Sequence, residues 1–148
     1  MICGLKVGGM FSENISWRYY ARTEEEAHYL VGVLNTPFLN DAIKPFQPQG
    51  LMGERHIHRR PIEACNIPLF DPENALHREV AKVSAAARAE LLPFVPKMAL
   101  PVAGARAAAR ELVAGKLALL DALTRRLLGS AIAAPRKKKG ADLQGDLL

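Results

Sequence analysis

The spacing of apolar positions changes twice along this chain. Ile15, Trp17 and Tyr19 alternate with Ser16, Arg18 and Tyr20, the two-residue repeat of a strand. Leu5 and Val7 read as an earlier strand, with Gly8, Gly9 and Ser12–Asn14 as turn material, so residues 1–22 predict a β-hairpin or small sheet. Beyond Thr23 the period lengthens. Ala27, Leu30, Val31 and Leu34 fall on one helical face, and Thr23 with Glu26 forms a capping box. Asn35 ends that helix. Thr36–Pro37 starts another, with Phe38, Leu39, Ala42 and Ile43 as its apolar side and Pro45 as its stop. Pro45, Pro48, Gly50, Gly53 and Pro61 then break the pattern into a loop.

Ile62 to Phe70 is short and apolar, a strand or an extended segment packed under that loop. Asp71–Pro72–Glu73 predicts a new helix start, and Leu76, Val80, Val83, Ala87 and Leu91 mark its apolar stripe. Pro93, Pro96 and Pro101 interrupt the pattern. A long Ala/Leu helix follows over 102–128, with Leu112, Val113, Leu120, Leu123 and Leu127 inside and Arg106, Arg110, Arg125 and Arg126 outside. Gly115 within it predicts a kink or a close packing contact, and Gly129 a stop. The leucines of this helix suit an antiparallel hairpin with the 76–91 helix, or a second subunit.

The fold class these elements predict is α+β: a small N-terminal β-hairpin or sheet with packed helices, then a C-terminal helical hairpin and a disordered tail. The organisation is an α/β unit over 1–92, a helical extension over 93–129, and a disordered basic tail over 130–148.

Composition adds limits. A hydrophobic share of 49% and a charged share of 24% belong to the globular class. The net charge of +5 favours a polyanionic partner, although Arg136, Lys137, Lys138 and Lys139 hold part of it in the tail. Cys3 and Cys65 are too few and too far apart for a metal framework or a disulfide scaffold, and read as reduced thiols. No apolar run approaches the ~20 residues of a membrane span, and the start lacks a signal-peptide pattern, so the expected location is the cytoplasm with no membrane partner.

The candidate chemistry lies between residues 44 and 60. Lys44, Arg55, His56, His58, Arg59 and Arg60 crowd there beside Gln47, Gln49 and Asn40. Guanidinium groups bind phosphates bidentately and read guanine, while Gln and Asn read adenine. The bland alternative is a solvated basic loop bonded to local carbonyls and to Glu54 and Glu63. His56 and His58 sit two apart, a spacing that on a strand lets both imidazoles share a metal, but further ligands are only candidates: His28, His77, Asp41 and Asp71. His58 bonded to a backbone or phosphate oxygen is the simpler reading. Trp17, Tyr19 and Tyr20 suit stacking on bases, and suit core packing against the first helix better. Cys65 has apolar neighbours and reads as buried. A nucleophile elbow, a Walker loop, a dinucleotide fingerprint and paired carboxylates near a nucleophile candidate are all absent from the sequence, so no enzyme activity is expected.

The segments A-H-Y-L-V-G-V-L-N-T-P, I-K-P-F-Q-P-Q-G-L-M-G-E-R-H-I-H-R-R-P and I-P-L-F-D-P-E-N-A-L-H-R resemble the C-terminal target-recognition region of adenine-specific DNA methyltransferases. These are bacterial enzymes, combined restriction-modification proteins among them. In that family a helix ending Leu-Asn-Ser/Thr precedes a loop and a basic R-x-I-x-[KR]-[KR]-P segment, then an I-P-x-F-D-P stretch and a closing helix. The counterparts here are Leu34–Thr36, Arg55–Pro61 and Ile67–Pro72.

The family's Asn-Pro-Pro-Tyr-type motif for the flipped adenine and its Gly-rich loop for S-adenosylmethionine have no counterpart in the sequence. The resemblance therefore implies a detached piece: an excised domain, a truncated reading frame or a separate specificity subunit. It implies DNA and a methyltransferase module or subunit as partners, and no cofactor on this chain, since S-adenosylmethionine would bind the companion. Lys44, Arg59 and Arg60 are then expected on phosphates, and Gln47, Gln49, Arg55 and His56 nearest the base edges. The competing expectation is a protein-interaction module that docks through the C-terminal helices, on a partner or as a homodimer. A metal-dependent phosphodiesterase using His56 and His58 is a third.

Overall fold

A computed structural model of the chain describes residues 19–47, 63, 65–94 and 101–129, and every structural statement concerns these. They hold five α-helices: α1 (Glu24–Leu34), α2 (Pro37–Ile43), α3 (Ala75–Leu91), α4 (Val102–Leu112) and α5 (Ala114–Leu128), with a 3-10 turn at Lys44–Phe46. No helix among the described residues is long and apolar enough to cross a membrane.

Polar caps set the helix boundaries. Thr23 is extended, and its hydroxyl accepts the Glu26 amide at 3.1 Å. The Glu26 carboxylate reaches back past Thr23. It accepts the Arg22 amide at 2.6 Å and the Tyr19 hydroxyl at 2.8 Å, and these two bonds hold its pKa below the usual value. Thr36 is fully buried and joins two helices, because its hydroxyl donates to Val33 O at 2.9 Å and accepts from Leu39 N at 3.3 Å. At α3 the cap is Asn74, whose Oδ1 accepts Leu76 N at 2.9 Å. Asp71, the sequence-predicted start, instead closes a turn by accepting Glu73 N at 2.9 Å.

The core comprises Tyr29, Val33, Leu39, Ile43, Cys65, Val80, Ala81, Leu120, Leu123 and Leu128. α1 packs on α3, and α5 contacts α3, α2 and α1. Lys116 pairs with Glu90 while Leu120 lies near Val80, so α5 runs antiparallel to α3. The buried faces are rotated from those the spacing predicts. On α1 they are His28, Tyr29, Gly32 and Val33, with Ala27, Leu30, Val31 and Leu34 half-buried. On α3 they are His77, Val80, Ala81, Ser84 and Ala87. Small residues cause the rotation. A methyl added at Gly32 would lie 3.0 Å from Val80 Cγ1, 3.1 Å from Ser84 Cβ and 3.2 Å from Leu120 Cδ2, so backbones approach closely there and larger residues flank the contact.

The α+β expectation is corrected: every regular element among the described residues is helical. Residues 19–22 are irregular, and residues 67–71 form no regular element. Tyr19 and Arg22 serve the α1 cap rather than a strand ladder. Pro68 and Pro72 remove ladder donors, and the Pro68 carbonyl accepts the Tyr29 hydroxyl at 3.0 Å. The predicted hairpin residues 1–18 and the predicted disordered tail from Ser130 lie outside the described residues.

The predicted single helix over 102–128 is two. Val113 breaks it with φ −106° and ψ 22°, while its side chain is buried. Gly115 is not a packing contact, since a methyl there would meet nothing within 4 Å. Gly129 follows α5 in right-handed geometry, with φ −54° and ψ −27°, and not in the left-handed form of a glycine cap.

Candidate functional site

The scaffold grips both flanks of the basic segment. On the outgoing side Ile43 is buried, the 3-10 turn follows, and Gln47 N donates to Lys44 O at 3.2 Å. On the return side Cys65 is fully buried. Asn66 turns the chain at φ 45°, a left-handed conformation that Asn tolerates, and its amide donates to Glu63 O at 3.1 Å. Ile67 and Phe70 then pack on the core.

An aromatic cluster locks the I-P-L-F-D-P stretch to α1 and α3. The Tyr29 ring lies 5.5 Å from Phe70 and 4.8 Å from His77, centroid to centroid. His77 Nδ1 accepts the Asp71 amide at 3.0 Å, which requires that nitrogen unprotonated. Burial lowers the His77 pKa against the opposing pull of Asp71, so the ring is neutral near pH 7. This histidine organises a loop and is not available as a metal ligand through Nδ1.

Of the eight sequence-predicted contact residues, Lys44 and Gln47 are described. Gln49, Arg55, His56, His58, Arg59 and Arg60 lie outside the described residues. Lys44 is exposed and its Nζ meets Asp41 Oδ1 at 2.6 Å. Gln47 is half-buried at the end of the 3-10 turn. His77 and Asp71 are neighbours, but His28, His77, Asp41 and Asp71 do not form one ligand set, and no cluster of three potential metal ligands occurs among the described residues. Burial pushes the Cys65 thiol up to about 11, far from a reactive thiolate. The aromatic expectation is corrected for two residues. Tyr19 and Tyr20 are 59% and 85% exposed rather than packed on α1, because the Tyr19 hydroxyl is drawn to Glu26 at the helix end. Trp17 lies outside the described residues.

The structure adds a feature that spacing does not reveal. A small, mostly polar cavity of about 120 Å³ opens at the α1–α2 turn, lined by Leu34, Asn35, Thr36, Pro37, Asn40, Asp41 and Arg110. Arg110 comes from α4, more than seventy residues away in the chain. The Leu34–Asn35–Thr36 motif was visible in the sequence, whereas Arg110 read as one of several outward arginines. Nearby, Asp121 from α5 accepts the Phe38 amide at 2.6 Å and the Arg125 guanidinium at 2.9 Å. Arg125 in turn lies 4.7 Å from the Phe38 ring centroid. The first free amides of α2 are thus occupied from within the fold.

No protein-family model, curated protein or solved structure matches this chain.

Proposed function

We propose that this chain is the DNA-contacting target-recognition part of an adenine-methyltransferase system, with residues 44–60 as its contact segment. The observation that carries the reading is the anchoring of both flanks. Ile43 and Cys65 are core residues, so the stretch between them, rich in Arg, His and Gln, is tied at each end to one packed body. A recognition segment needs such support, because flexible cationic side chains lose affinity to ordering entropy unless the backbone carrying them is positioned. The ordered resemblance of three segments supports the same reading, and two of them, Leu34–Thr36 and Ile67–Pro72, are the residues the fold uses to hold those flanks.

In this reading Lys44, Arg59 and Arg60 neutralise phosphates, giving affinity that falls with salt, and Gln47, Gln49, Arg55 and His56 face base edges. Lys44 must exchange its bond to Asp41 for a phosphate, which moderates its contribution. Methyl transfer and S-adenosylmethionine belong to a companion methyltransferase module.

The test is fluorescence-anisotropy binding to a random-sequence duplex across a salt series, with the Arg59→Ala/Arg60→Ala double variant beside the wild type. The expected result is a steep salt slope that falls by ~1.8 in the double variant, ~0.9 for each lost phosphate. Absence of binding by the wild type at low salt would overturn the proposal.

A second reading has one observation in its favour. Among the residues of α4 whose burial is described, none is buried, and Leu112 and Leu119 on the C-terminal helices are 37% and 45% exposed. A docking module or homodimer built on these helices predicts a mass that rises with concentration and a chain that ignores DNA.

A further inference from the structure

The cavity at the α1–α2 turn has an unusual balance of groups. Among the described residues, no other side chain engages the guanidinium of Arg110 or the amide of Asn40. The remaining polar groups are committed. The Thr36 hydroxyl is used as both donor and acceptor, and Asn35 Nδ2 donates to Val31 O at 3.0 Å. Asp41 lines the cavity too, but its carboxylate is paired with Lys44 at 2.6 Å. The α2 amides give nothing further, since Phe38 N is held by Asp121 and Leu39 N by Thr36. What the cavity offers a ligand is one uncommitted cation and one neutral amide, over a wall formed by Leu34 and Pro37.

Size narrows the ligand. A volume of about 120 Å³ lies below the ~300 Å³ at which small-molecule pockets begin. One tetrahedral oxyanion group fits such a space better than a base or a cofactor. Charge narrows it again. With Asp41 and Lys44 offsetting each other, a single guanidinium balances a single negative charge, which suits a phosphodiester better than a doubly charged phosphomonoester. Position completes the argument. Asp41 joins the cavity to Lys44, the first residue of the proposed contact segment, so one polyanionic strand touching Lys44 passes the cavity mouth.

We propose that this cavity seats a backbone phosphodiester of the bound nucleic acid, with Arg110 as its cation and the Asn40 amide as its neutral donor. The inference rests on the DNA-recognition reading above and adds a contact from α4 outside the 44–60 segment. Asn40 and Arg110 act on the backbone, so they contribute to affinity alike on all sequences.

The experiment uses the full chain and a random-sequence duplex, with anisotropy read across a salt series. Arg110→Ala is compared with Arg110→Lys, Asn40→Ala and Arg126→Ala, the last removing an exposed arginine of α5 that does not line the cavity. Circular dichroism confirms equal helicity in each variant. The expected results are roughly tenfold weaker binding for Arg110→Ala at low salt and a slope lower by about one. Arg110→Lys keeps the slope, Asn40→Ala weakens binding at an unchanged slope, and Arg126→Ala has the smaller effect. If the wild type binds and Arg110→Ala matches Arg126→Ala, the cavity is no phosphate seat while DNA recognition stands. If the wild type binds no duplex at any salt, both ideas fall together.

Discussion

Two glycines, both inside helices, should respond to the same substitution with opposite signs. At Gly115 a methyl meets open space in the first turn of α5, so Gly115→Ala gains helix propensity, up to about 1 kcal/mol. Gly32→Ala gains a similar amount but places its methyl 3.0 Å from Val80 Cγ1, 3.1 Å from Ser84 Cβ and 3.2 Å from Leu120 Cδ2. Only the leucine end can swing aside. Val80 is β-branched and has one favoured rotamer in a helix, and a Cβ moves only with its backbone. Overpacking of this kind costs about 1–3 kcal/mol, so the net change is a loss of about 1 kcal/mol. Urea denaturation followed by circular dichroism reads this as a midpoint lower by roughly 0.5–1 M for Gly32→Ala and unchanged or higher for Gly115→Ala. A third variant isolates the cause. In a Val80→Ala background the closest contact is gone, and Gly32→Ala should become neutral or stabilising, a coupling of about 1 kcal/mol. A stabilising Gly32→Ala in the wild-type background would refute the three-helix contact.

Other outcomes follow from single bonds. The His77 pKa is lowered in the fold, so the unfolded chain binds its proton more readily. The stabilisation is therefore complete above the ordinary histidine value near 6.5 and declines as pH falls below it, toward the lowered folded value. Urea midpoints at pH 7.5 and 5.5 should separate in the wild type and draw together in His77→Gln; parallel behaviour of the two proteins would contradict a neutral His77. Asp121→Ala removes the acceptor for the Phe38 amide and the partner of Arg125, and should cost about 1.5–3 kcal/mol of stability. A loss below ~0.5 kcal/mol in the same urea assay would mean that water replaces the carboxylate at no cost.

The helix starts at Thr23 and Thr36 were legible because a cap is a local event: a hydroxyl and an amide three residues on decide it. Which face of α1 turns inward was not. The apolar spacing favours Leu30 and Val31, yet the fold selects Gly32, whose absent side chain carries no hydrophobic signal and whose value exists only beside Val80 and Leu120. The break at Val113 was hidden for a related reason, since it occurs at a good core residue and not at the nearby glycine. Strand-like spacing around Tyr19 misled because period two also describes an irregular segment whose tyrosine serves a helix cap. At the candidate site Lys44 and Gln47 were expected from side-chain type alone, and the structure places them at the 3-10 turn without assigning them a DNA contact. Arg110 was not, because only the tertiary fold brings α4 to the α1–α2 turn.

The antiparallel seating of α5 on α3 has a consequence for how the chain is made. Leu120 closes the space around Gly32 and Asp121 caps Phe38, so the first three helices cannot finish their core until the last one arrives. At synthesis rates of ~5–20 residues per second, roughly 2–7 s separate the addition of Leu91 from that of Leu128. Until α5 has formed, the Val80 side of the α1–α3 pair stays uncovered, and transiently exposed apolar surface of this kind makes an unfinished fold prone to aggregate.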